Sequence, residues 1–267
     1  MSDRSVTSIR FDKQEESLAR SRTYQILSSC FLYPEEDLFS SLEKGDFLEE
    51  LKDSVACLLS PKSGLGQAIM VLGEKLEKLK GRTLSEMQDE YHRIFSHTIS
   101  QECPPYETQY GDNENVFQQT QQLGDISGFY RAFGLEISDQ TRERPDHLSL
   151  ELEFMGFLIY KEASARQAQE EEKAEVCRDA QCKFLLEHLG RWTPLFAGLM
   201  RTKAGGGFYE GVVFLLEAYV AYEIAYLGVE PERVEGKPMG PLPEMCAPEG
   251  SLPHCAREAE AEWQRPG

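Results

Sequence analysis

Apolar residues recur at three- and four-residue intervals along almost the whole chain, while runs alternating apolar with polar residues are essentially absent. That spacing suits helices, whose neighbours on one face are three and four apart, and not pleated strands with period two. Leu65, Ile69, Leu72, Leu76 and Leu79 form one such stripe, ended by Gly81. Thr83-x-x-Glu86 has the spacing of a capping box and opens a further helix with Leu84, Met87, Tyr91 and Ile94 on its core face. Leu18, Ile26, Cys30 and Tyr33 mark a first helix stopped by Pro34, and Leu123, Ile126, Tyr130 and Phe133 a helix from about 115 to 133 capped by Gly134. Pro145 opens a long helix reaching Ala163, and helices are also expected over 176–189, in a short piece over 192–200, and over 208–227. No 33- or 34-residue repeat occurs, so a TPR or ankyrin solenoid is not expected. The expected fold class is all-α: a single globular helical bundle of two lobes joined at a hinge, with a Pro-rich C-terminal tail.

The hinge is placed at Ser138–Arg144, giving an N-terminal lobe over 1–137 and a C-terminal lobe over 138–228. Beyond it, 229–267 holds seven of the 13 prolines and little periodicity, and is expected to be a mobile tail or one draped over the body. Acidic residues outnumber basic ones 46 to 28, a net charge of −18. That balance argues against nucleic acid and anionic membrane surfaces as partners, and for a basic polypeptide. The most apolar stretch, Gly211–Gly228, contains Glu217 and Glu223, so it is expected to be a buried helix and not a membrane span. Met1–Lys13 lacks the apolar core of a secretory leader, which suggests the cytoplasm. Seven cysteines without a C-x-x-C pair fit reduced thiols acting as small buried apolar groups; Cys177 and Cys182 have poor spacing for a zinc knuckle.

Two segments break the helical pattern. In the first, a helix ending in Tyr91 and Phe95 is followed by Pro104-Pro105-Tyr106-Glu107-Thr108-Gln109-Tyr110. The prolines stiffen this loop, and Tyr106 and Tyr110 each offer an apolar face and a hydroxyl. It can grip a peptide, or Tyr106 can simply pin the loop to the core. The second is Arg144-Pro145-Asp146-His147-Leu148-Ser149-Leu150-Glu151-Leu152-Glu153-Phe154-Met155. Its apolar residues occupy several faces, as in a central, nearly surrounded helix. His147 and Glu151, four apart, can serve as a structural lock, a metal half-site or an acid–base pair. A metal site would need a second ligand cluster, which His92, His97 and Glu102 could supply, and no H-E-x-x-H pattern is present. Nor is there a G-x-S-x-G, a P-loop or a G-x-G-x-x-G; Gly205-Gly206-Gly207 lacks the residues of a phosphate loop. Cys246, His254 and Cys255 could clip a soft metal, or lie in a solvated tail.

Four blocks in order carry a resemblance: Glu90-Tyr91-x-x-Ile94-Phe95, Pro104-Pro105-Tyr106-Glu107-Thr108, Gly128-Phe129-Tyr130-x-Ala132-Phe133-Gly134, and Arg144-Pro145-Asp146-His147-Leu148-x-x-Glu151-Leu152-Glu153-Phe154-Met155. With Phe184-Leu185-x-x-His188-Leu189-Gly190-Arg191-Trp192, the chain resembles the TorD/DmsD/NarJ group of redox-enzyme maturation chaperones over roughly residues 84–200. The Tyr106–Gly111 and Gly128–Gly134 versions look most like the delta-type chaperones of DMSO-reductase-like enzymes acting on dimethylsulfide, ethylbenzene, selenate or chlorate. Thr108 stands where many members have Ser, and the hydroxyl survives. The resemblance implies an all-helical fold, no catalysis and no cofactor. The implied partners are an apo-molybdoenzyme catalytic subunit and its twin-arginine signal peptide, held until molybdopterin is inserted and the client passes to the Tat translocase. A monomer or a domain-swapped dimer is implied, with no membrane insertion. Carried over residue by residue, the peptide-binding surface comprises Tyr91, Phe95, Pro105, Tyr106, Glu107, Tyr110, Arg144, Pro145, Asp146, His147 and Glu151. Glu107, Asp146 and Glu151 are the candidates for meeting the arginines, with His147 either orienting Asp146 or Glu151 or tying the hinge. The alternatives are a helical metal-dependent hydrolase using His147 with His92 or His97, and a subunit retained in a mature periplasmic complex.

Overall fold

The computed structural model describes residues 13–58, 64–95, 102–111, 116–137 and 143–238. Helices α1 (Lys13–Phe31), α2 (Glu36–Lys44), α3 (Asp46–Ala56), α4 (Leu65–Leu79), α5 (Leu84–Phe95), α6 (Val116–Ala132), α7 (Leu148–Gln167), α8 (Glu171–Phe184), α9 (Gly190–Lys203) and α10 (Phe208–Leu227) make up nearly all of it. Among the described residues there is no strand, and an isolated antiparallel bridge joins Tyr106 to His147. The all-α class is borne out. His97, residues 138–142 of the expected hinge, and the tail from 239 on, including Cys246, His254 and Cys255, lie outside the described residues.

α7 is the central helix, as its many-sided apolarity implies. It lies along α1 and against α8, burying Leu148, Leu152, Phe154, Met155, Leu158 and Ile159. Burying each such side chain is worth roughly 1.5–3 kcal/mol. The α1–α7 crossing is close because Gly156 has no side chain: a Cβ there would lie 3.1 Å from the Ser21 carbonyl oxygen. Two hydroxyls of α1 stitch the pair, Ser21 donating to the Gly156 carbonyl at 2.7 Å and Ser28 to that of Ser149 at 2.9 Å. α10 packs in the same way on α4, where a Cβ on Gly211 would lie 2.8 Å from the Leu72 Cα. Helices from either side of the 138–144 segment therefore interleave in one core.

The capping box forms as its spacing predicts: Thr83 N–H donates to the Glu86 carboxylate at 2.7 Å and Glu86 N–H to Thr83 Oγ1 at 3.3 Å. Other expectations need correction. In α1, Leu18 is exposed, and the buried face carries Arg20, Ser21, Thr23, Tyr24 and Ser28 beside Leu27, Cys30 and Phe31. Ile26 and Cys30 of the expected stripe are buried there too, so polar and apolar side chains share that face. Helices α2 and α3 are additions to the expected set, although Phe39, Leu42, Phe47, Leu51 and Val55 have the helical spacing and Gly45, at φ +86°, separates them. α7 begins at Leu148, not at Pro145: the Asp146 side chain accepts hydrogen bonds outside the helix, and His147 takes the cap position. The expected pieces over 176–189 and 192–200 are continuous, α8 running through a π turn at Leu185–Leu189 into α9. Pro194 has no N–H to offer the Gly190 carbonyl, so the helix there lacks one ladder bond. The start of the tail is draped on this turn: Val234 N–H donates to the Arg191 carbonyl at 3.1 Å, and a Cβ on Gly190 would meet the Pro231 ring at 2.7 Å.

Candidate functional site

The stiff loop and the start of α7 are bound to one another. Glu107 N–H donates to the Asp146 carbonyl, and Leu148 N–H to that of Pro105, each at 2.9 Å. Between these bonds the Asp146 side chain closes a latch. Its carboxylate accepts from Thr108 N–H at 3.1 Å, the Thr108 hydroxyl at 2.7 Å, and Arg144 through Nε at 3.0 Å and Nη2 at 2.7 Å. The Arg144 fork is bidentate, the strong form of a charge-assisted bond. His147 then caps α7, its Nδ1 accepting from Ser149 N–H at 3.2 Å. Burial lowers the His147 pKa to about 4; nearby Glu143 opposes the shift and Arg144 adds to it. The ring is therefore neutral near pH 7, as an accepting cap requires.

Below the latch lies a second polar cluster. Glu107 accepts from Gln122 Nε2 at 2.7 Å and faces His188 Nδ1 at 3.0 Å. Glu151 accepts from the Trp192 indole N–H at 3.0 Å. Burial, then the negative charge of Glu107, hold the Glu151 carboxyl well above the usual range, with the indole bond acting the other way. Of the three functions open to the His147–Glu151 pair in the sequence, the geometry favours a lock: each residue is engaged with a different partner.

The sequence-predicted residues separate by position. Tyr91 and Phe95 lie in an aromatic cluster with Phe31, Phe196 and Tyr209, and Tyr110 stacks on Trp192 at 5.1 Å. Asp146, His147 and Glu151 are buried and Pro105 is covered. Tyr106, Arg144 and Pro145 are half-buried at the surface; the Tyr106 hydroxyl donates to Glu143 at 2.8 Å and Arg144 sits 4.9 Å over its ring. Glu107 forms part of the wall of a groove of about 780 Å³ between α6 and the α8–α9 turn. Gln122, Asp125, His188 and Trp192 line that groove too, and no sequence pattern picks them out as site residues. His188 and Trp192, four apart and facing the same way, carry the available signal.

The hydrolase alternative gains no support. Among the described residues no group of three or more His, Cys, Asp and Glu is arranged to hold a metal ion. His147 Nδ1 is engaged by its own helix, and His92 packs against Tyr33 and Tyr91. Among the described residues no helix is long and apolar enough to cross a membrane.

Fold and site define a class: an all-helical bundle organised round one latched loop and an acidic groove. The nitrate reductase delta subunit family matches residues 60–198, more than half of the chain, and the chain belongs to this family of TorD/DmsD/NarJ-type proteins. It is 28% identical to a perchlorate reductase assembly chaperone protein of Dechloromonas aromatica over 212 residues, covering 78% of this chain and 90% of that one. It is 27% identical to the chaperone protein TorD of Photobacterium profundum, covering 73% of this chain and 83% of that one. Identity to the chaperone protein TorD of Aliivibrio fischeri is 25%, with 77% and 91% covered.

Proposed function

We propose that this chain is a cytoplasmic assembly chaperone that binds the apo-form of a molybdoenzyme subunit and its twin-arginine signal peptide before Tat export, without catalysing a reaction. The observation that carries the reading is the family match together with relatives named as TorD and perchlorate reductase assembly chaperones. The physical character of the chain supports it: a net charge of −18 suits a basic peptide, and a Pro-stiffened loop fixed by Asp146 loses little entropy on binding. In this reading Tyr106, Arg144 and Pro145 meet the client, while Glu107, Asp146, His147, Glu151, Tyr91, Phe95, Pro105 and Tyr110 hold that surface in shape. The 138–144 segment is the boundary between two lobes, and a monomer or a swapped dimer is compatible with the same surface. The test is capture from the native cell with sequencing of whatever is retained. Recovery of a molybdoenzyme subunit with its signal peptide uncleaved supports the proposal; recovery of only mature, cofactor-loaded enzyme refutes it.

A further inference from the structure

One strip of α7 is left uncovered by the bundle. Leu152, Met155, Leu158 and Ile159 are buried, whereas Glu153, Tyr160 and Lys161 are exposed and Leu150 and Phe157 half-buried. This strip carries a hole and a knob. The hole, about 250 Å³, is lined by Ile137, Leu150, Glu153, Phe154 and Phe157. The knob is the ring of Tyr160, 52% exposed and one turn beyond Phe157. Phe157 and Tyr160 also line a shallow groove with the exposed Leu32 of α1, so the uncovered apolar surface is contiguous. Contiguous exposed apolar surface marks an interaction site, where a single exposed side chain does not.

The charges on the strip choose the partner. Glu153 and Lys161 lie four residues before and four after Phe157, and Lys161 leans over the Phe157 ring at 5.9 Å. They are about 12 Å apart along the helix, too far to pair with one another. We infer that α7 presents this face to a second copy of the chain, in a two-fold pair centred on Phe157. In antiparallel helices related by such an axis, the residue n places before Phe157 in one copy faces the residue n places after it in the other. Glu153 then meets Lys161 twice, and Tyr160 meets Phe154, in the wall of the hole, twice. A face that holds its own complement, knob with hole and cation with anion at equal distances from one centre, is what an isologous contact requires. No element is exchanged between the copies, so the pair differs from a swap about the 138–144 segment, and it uses none of the residues assigned to the client. Each copy carries a net charge of −18, so the pair forms where salt screens that long-range repulsion.

The full-length protein is followed by sedimentation velocity over a wide range of concentration at about 0.15 M salt, where charges are screened beyond about 8 Å. A reversible monomer–dimer equilibrium is expected. Tyr160→Ala should weaken it about tenfold, as loss of an aromatic anchor does, without moving Tm of the monomer. Glu153→Lys and Lys161→Glu should each dimerise more weakly than wild type. An equimolar mixture of those two variants should recover most of the wild-type affinity, because each chain then supplies the charge the other lacks. That recovery is specific to a pair centred on Phe157. The inference is overturned by a chain that stays monomeric throughout, by a dimer that Tyr160→Ala leaves as tight, or by a mixture no tighter than either variant alone. If the chain is monomeric and Tyr160→Ala loses capture of apo-enzyme, the face belongs to a client; this inference then falls and the chaperone function stands.

Discussion

His147 and Glu151 sit one turn apart and respond to pH in opposite senses. His147 is held near pKa 4 when folded and titrates at the ordinary 6.5 when unfolded, so the unfolded chain binds the extra proton between those values. Its contribution is complete above pH 6.5 and is lost as pH falls toward 4. Replacing it by Asn keeps a cap and removes the titration, so Tm of His147→Asn should fall less steeply than wild type from pH 6.5 to 4; parallel curves would refute the assignment. Glu151 is the reverse, because its folded carboxyl is raised above the unfolded 4.5: its contribution is complete below that pH and declines as pH rises. Glu151→Gln keeps an acceptor for Trp192 and removes the titration, so it should match or exceed wild-type stability at pH 8. Glu151→Ala strands the buried indole N–H, opens a cavity, and should cost about 2–4 kcal/mol in denaturant unfolding. In the chain alone the pair is located by its i,i+4 spacing, yet its chemistry stays open among lock, metal and acid–base. Deciding it needs Ser149 and Trp192, the latter 41 residues away, a proximity that no local pattern encodes.

Helices follow from the spacing of their apolar residues where that spacing is sustained, which is why α4, α5, α6 and α10 are legible in the sequence nearly to the residue. The rule fails where the buried face is partly polar or the helix is interrupted. α1 buries serines, a threonine and an arginine beside its apolar residues, so apolar spacing alone does not trace its buried face. α8 and α9 read as separate pieces because Gly190 and Pro194 break the propensity pattern, whereas the π turn absorbs both. There Gly190 is needed for space and not for φ, which is an ordinary −73°. A Cβ would run into the Leu185 carbonyl oxygen, which accepts from Gly190 N–H, and into the Pro231 ring. Gly190→Ala should therefore destabilise the fold by about 1–3 kcal/mol, as overpacking does. Around Gly198, eight residues on in α9, a Cβ would meet nothing within 4 Å, and Gly198→Ala should gain up to about 1 kcal/mol from helix propensity. Thermal unfolding of the two variants side by side checks the contrast; equal shifts would mean the tail does not press on the turn.

A buried ion pair ties the first and last described helices, 203 residues apart in sequence. Arg20 of α1 donates to both Glu223 oxygens of α10, each at 2.7 Å, and both side chains are wholly buried. Its second nitrogen also reaches Gln181 of α8 at 3.1 Å, which passes the connection to Glu162 of α7 at 2.7 Å. Tyr226 lies 4.0 Å beneath the guanidinium, and the Tyr219 hydroxyl donates to the Arg20 carbonyl at 2.6 Å. Four helices from both sides of the 138–144 segment thus meet at one charge pair. A buried pair is weak evidence for net stability, because desolvating two ions costs about as much as their attraction returns. Removing one partner is a different matter, since it leaves the other charged and unanswered. Glu223→Ala is expected to lose about 3–5 kcal/mol, whereas Arg20→Met with Glu223→Leu should recover most of that loss. If the pair only stabilises, the double variant should still capture a client. If it also fixes how α1 and α10 approach, the double variant should fold and fail to capture. Urea unfolding and client capture, measured on the same preparations, separate the two; a double variant as unstable as Glu223→Ala would show that the surrounding polar partners, and not the charge pair, hold the four helices together.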